Sequence, residues 1–131
     1  MIEFLKRFLL FIVIGVSNFL LSIFYLSFTN LPGGETGMVP FLIIYYSLIG
    51  LVTSSLLYII FKKIYNLTIP RSIILYQIIY IIILIFNETN PFENSFEGFI
   101  QNLNLWVYLF SFLVTITLLL LYKIYNKQKT P

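Results

Sequence analysis

The chain has 131 residues, of which 60% are hydrophobic and only 10% charged, with a formal net charge of +3. A soluble domain of this size needs much more polar surface, so composition points to one transmembrane domain covering residues 1–131. Cysteine, histidine and aspartate are absent, which excludes disulfides, the usual zinc sites, and Ser-His-Asp or Cys-His catalysis, and leaves no expectation of an enzyme, a metal, a cofactor or a nucleic-acid partner.

The first apolar block, Phe8 to Phe28, is 21 residues long and follows Lys6-Arg7. That is enough to cross the roughly 30 Å hydrocarbon core. The start resembles a secretory signal, but no small-residue cleavage site follows. Leu31-Pro-Gly-Gly34 marks a turn in the first loop, which carries Glu35 and no basic residue. The second span runs from Val39 to Phe61 and opens with Pro40, where a helix tolerates proline.

The third span, Ile69 to Phe86, is the short one. Arg71 leaves a clean apolar run only from Ser72 to Phe86, about 22 Å of helix. A snorkelling Arg71 allows it to span, and a re-entrant hairpin is the alternative. The third loop holds Glu88, Glu93 and Glu97 together with Phe92, Phe96, Phe99 and Ile100. It reads either as a short interfacial amphipathic helix or as a solvated connector. The fourth span is Leu103 to Tyr122, with Trp106 near its start and Lys123, Lys127 and Lys129 behind it.

All eight basic residues fall on one side of this four-pass arrangement, and a three-pass arrangement would break the alternation. The positive-inside rule makes the expected fold an all-α membrane four-helix bundle with both termini inside. Alanine is missing while Ile, Leu, Phe, Tyr and Asn are abundant, a bias of AT-rich genes. It points to the cytoplasmic membrane of a bacterium, or an organellar inner membrane as the alternative.

No charged residue lies at the centre of a span, which argues against a proton-coupled transporter. Uncharged polar and small residues recur three and four apart, the spacing of one helical face. These faces are Gly15, Asn18 and Ser22 in the first span, Ser47, Gly50 and Ser54 in the second, and Tyr108, Ser111 and Thr115 in the fourth. The third span contributes Gln77 between Tyr76 and Tyr80. One reading makes these faces the glue of the bundle. The other makes Asn18 and Gln77 the lining of a polar groove for a substrate head group. Lys62, Lys63, Arg71 and Lys123 likewise either set topology alone or hold the phosphate of an anionic lipid.

Spans two and four end alike: Ile59-Ile-Phe-Lys-Lys-Ile-Tyr-Asn66 aligns with Leu119-Leu-Leu-Tyr-Lys-Ile-Tyr-Asn126. Such an echo is what a parallel internal repeat would leave.

Phe11-Ile-Val-Ile-Gly-Val-Ser-Asn-Phe-Leu-Leu-Ser22 resembles the opening helix of the GtrA-like family of small four-span membrane proteins, with Gly15 and Asn18 at its glycine and asparagine positions. Val114-Thr-Ile-Thr-Leu-Leu-Leu-Leu-Tyr-Lys-Ile-Tyr125 is similar to the family's closing helix. The family's asparagine before the basic-aromatic ending is replaced by Tyr58 and Tyr122, and its tryptophan by Tyr65 or Tyr125. The resemblance covers about half the chain. It implies help in moving a polyprenyl-phosphate-linked sugar across the membrane for polysaccharide assembly, with a glycosyltransferase as partner. Lys62, Lys63, Arg71 and Lys123 would then take the phosphate, and Asn18, Ser22, Gln77 and Thr115 the sugar. Two other readings compete. One is a non-catalytic accessory subunit of a larger membrane complex. The other is a small pore-forming or immunity protein, homo-oligomeric through the Gly15 and Gly50 faces.

Overall fold

The computed structural model describes residues 1–29, 35–87 and 98–130. Within them the chain is all-helical: α1 (Ile2–Thr29), a 3₁₀ turn (Glu35–Met38), α2 (Val39–Phe61), α3 (Ile69–Phe86) and α4 (Gly98–Lys129). All four α-helices are long and apolar enough to cross a membrane. The Leu31-Pro-Gly-Gly34 turn and the acidic stretch 88–97 lie outside the described residues.

Helices α1, α2, α3 and α4 pack in a ring of neighbours, with α1 touching α3 across the diagonal. The α3 helix is unbroken and carries eight buried residues in its 18: Ser72, Ile73, Tyr76, Gln77, Ile79, Tyr80, Ile83 and Leu84. The shortest span is thus the most enclosed. Its continuous helix is not the re-entrant hairpin that its length left open.

Helices α1 and α4 run further than their apolar cores. The first starts at Ile2, six residues ahead of Phe8, and the last continues through Lys123 and Lys127 to Lys129. Lysine is a good helix former, and basic residues in the last turn complement the negative end of the helix dipole.

The surface is an inverted soluble protein. Leu9, Val13, Val16 and Leu20 of α1, and Leu48, Val52 and Leu56 of α2, are exposed, while Asn18, Ser22, Ser54, Ser111 and Thr115 are buried. Lipid tails are as apolar as leucine, so leucines gain nothing by turning inward, whereas polar groups gain partners there. Aromatic contacts tie the layers together. Phe11 stacks on Tyr76 at 5.5 Å between centroids, and Tyr76 on Tyr80 at 6.3 Å. At the other end Tyr25 meets Trp106 and Phe110 at 5.9 and 5.6 Å.

Candidate functional site

The polar face of α1 points to α3 and α4 at mid-span. Asn18 Nδ2 donates to Ser111 Oγ at 3.1 Å, and Ser111 Oγ donates to Gln77 Oε1 at 3.0 Å. The Thr115 hydroxyl reaches both Gln77 Oε1, at 2.9 Å, and the Ser111 carbonyl, at 3.1 Å. Four side chains from three helices form one network, and all four are buried. Two of its atoms have no partner: Asn18 Oδ1, an acceptor, and Gln77 Nε2, a donor. A buried polar atom without a partner costs on the order of 1–3 kcal/mol, so these two atoms favour any group that pairs with them.

The rest of the predicted polar set lies elsewhere. Ser22 is buried but donates to Phe19 O of its own helix at 2.6 Å. Gly15, Ser47 and Gly50 form a close seam with Tyr76. A Cβ added at Gly15 would stand 3.2 Å from Ser47 Cβ and 3.4 Å from Tyr76 Oη. The Tyr76 hydroxyl donates to Ser47 O at 3.3 Å, and Gly50 leaves room for its ring. Ser54 is fully buried and its Oγ has no partner, as is also true of Ser47 Oγ. This differs from Thr53 and Ser72, whose hydroxyls donate one turn back, to Ile49 O at 2.7 Å and Thr68 O at 3.0 Å.

The basic residues are spread over one end of the bundle. Lys62, Lys63, Arg71 and Lys123 are all exposed. Arg71 is turned to its own loop, with Nη1 donating to Asn66 O at 3.0 Å. Arg7, which sequence reasoning used only for topology, is the buried cation at 7% exposure. Its Nη2 donates to Leu67 O at 3.2 Å and lies 3.4 Å from Glu3 Oε2, while Nε has no partner. The signal was present: Arg7, Phe11, Ile14, Asn18 and Ser22 recur three and four apart, a single helical stripe. The guanidinium thus ties α1 to the α2–α3 connection and is already paired with Glu3, and its remaining Nε–H is buried.

Apolar groups line the surface concavities near the network. A groove of about 280 Å³ runs along the outer seam of α1 and α2, past Phe11, Ile12, Gly15, Val16, Ile44, Ser47 and Leu48. The mid-span network does not open into it. Among the described residues no cluster of three or more His, Cys, Asp or Glu exists to hold a metal.

Four apolar helices with a buried polar centre define the class: a multi-pass membrane bundle. Beyond that class, no family model matches the chain, and neither does any curated protein or solved structure.

Proposed function

We propose that the chain assists translocation of a polyprenyl-phosphate-linked sugar for cell-surface polysaccharide assembly, without catalysing a reaction itself. In this reading it sits in the bacterial cytoplasmic membrane with both termini inside. The observation that carries it is the mid-span network. Asn18 Oδ1 and Gln77 Nε2 are a spare acceptor and a spare donor, buried together with Ser111 and Thr115 between α1, α3 and α4. Sugar hydroxyls both donate and accept, so they suit such a pair when α1 and α4 part. The cationic end, with Lys62, Lys63, Arg71 and Lys123 exposed, suits the carrier phosphate. The resemblance of the first and last helices to the GtrA-like family agrees with this. An organellar inner membrane is the other location compatible with the composition.

A second reading is supported by the closure of that same network. Its four side chains already bond to one another, as they would in an accessory subunit whose polar groups only hold the bundle together.

Purification in mild detergent, with mass spectrometry of proteins and lipids, separates the two. The carrier reading expects a co-purifying polyprenyl-phosphate sugar or a glycosyltransferase, and loss of that lipid in Gln77→Leu. A stoichiometric set of unrelated membrane subunits, with no such lipid, overturns it.

A further inference from the structure

The α1–α2 groove has a shape, a depth and a charge that together define an occupant. It measures about 280 Å³. An apolar groove of this kind would take a hydrocarbon chain or a helix of a second copy, and the lysines at one end of it favour the lipid. Its floor holds Gly15 and Ser47, where a Cβ on the glycine would stand 3.2 Å from Ser47 Cβ. Its rim residues Val16 and Leu48 are exposed on the outer, apolar surface.

Lys62 stands above the same seam. It is 18 residues from Ile44 in the chain, and 18 residues are five full helical turns. Backbone geometry stays helical at Lys62, whose φ and ψ are −52° and −34° and whose N–H bonds Tyr58 O at 2.9 Å. Lys62 thus continues the face of α2 that lines the groove, and Lys63 follows it; both are exposed. Fifteen residues separate Ser47 from Lys62, about 22 Å of helix. That equals half the thickness of a bilayer with its headgroups, about 40–45 Å in all. With the lysines at phosphate depth, the groove floor lies at the end of one lipid tail.

From this we infer that the α1–α2 seam is a binding site for an anionic phospholipid of the lysine-side leaflet. One acyl chain lies in the groove against Gly15 and Ser47, and the headgroup phosphate rests on Lys62 and Lys63. The site is separate from the mid-span network; it shares Lys62 and Lys63 with the carrier-phosphate reading but does not require that reading. A zwitterionic lipid fills the groove equally well but gains less from the lysines, so the site discriminates by headgroup charge.

Native mass spectrometry of the delipidated protein, titrated in parallel with phosphatidylglycerol and phosphatidylcholine of identical chains, tests this. The expected result is one tightly retained phosphatidylglycerol and a preference of about fivefold per lysine over phosphatidylcholine. K62Q/K63Q abolishes the preference while both lipids still bind. V16F/L48F, which fills the groove from its exposed rim, abolishes retention of both. A Phe8→Trp reporter in a Trp106→Phe background, one turn before Ile12 and outside the groove lining, gives an independent reading with the groove open. Phosphatidylglycerol brominated on its chain quenches it at lower concentration than the brominated phosphatidylcholine. Equal retention of the two lipids by the unmodified protein overturns the proposal, as does unchanged lipid binding in V16F/L48F. A lipid-free dimer dispersed by V16F/L48F also overturns it, in favour of a second copy on this face.

Discussion

Helix α1 touches its neighbours in two ways that look the same in sequence. Toward α2 it presents Gly15, and the contact is decided by shape: Ser47 sits against the glycine and the Tyr76 ring lies over Gly50. Toward α3 and α4 it presents Asn18, and the contact is decided by pairing, through Ser111, Gln77 and Thr115. Both regions are built from small or polar residues three and four apart. In a membrane such residues serve either close approach or hydrogen bonding, and the pattern does not say which. The difference teaches that the tight seam carries the fit of the bundle, while the network keeps spare polar capacity.

The largest expected effect breaks the seam. Gly15→Leu presses a Cβ against Ser47 and Tyr76 and destabilises by about 2 kcal/mol, within the range for overpacked contacts. Unfolding in mixed micelles of rising SDS fraction measures it. Gln77→Leu removes the acceptor shared by Ser111 and Thr115, yet costs only about 1 kcal/mol. Interhelical hydrogen bonds in membranes are weak, and both hydroxyls can turn to their own helix carbonyls. The same titration checks this. A loss near that of Gly15→Leu would mean that the network, too, carries the fit.

The smallest effect sharpens the comparison inside the seam. A Cβ at Gly50 meets Tyr76 at 3.5 and 3.6 Å, ordinary contact, unlike the 3.2 Å at Gly15. Gly50→Ala therefore leaves stability unchanged or raises it by about 0.5 kcal/mol, the helix preference of alanine over glycine. A clear loss in the same SDS titration would show that Tyr76 tolerates nothing at either glycine.

The two copies of Lys-Ile-Tyr-Asn mark another limit of the sequence. Lys123 to Asn126 continues α4, whereas Lys63 to Asn66 forms a turn after α2. The cause lies just beyond the motif. Pro70 has no N–H for the Asn66 carbonyl and belongs in the first turn of α3, so a helix cannot run through it. Arg71 takes that carbonyl instead. After Asn126 come Lys127, Gln128 and Lys129, which oppose nothing. The local echo is thus not a structural one, and four residues do not set their own conformation.

By itself the sequence determined the number of helices and their approximate limits. Span length and apolar content follow from bilayer thickness and the need to satisfy every backbone group internally, and both are properties of single segments. It also marked Asn18, Gln77, Ser111 and Thr115 as inward-facing, because helical periodicity is local. Only the tertiary structure decided which of the small and polar residues meet. It turned Gly15 and Gly50 to Tyr76, joined Asn18 to Gln77 through Ser111, and left Ser54 without a partner. It likewise buried Arg7 under Leu67 while Lys62, Lys63, Arg71 and Lys123 stayed exposed. Those outcomes depend on how four helices are rotated against one another, and rotation is fixed by contacts between segments that no single segment contains.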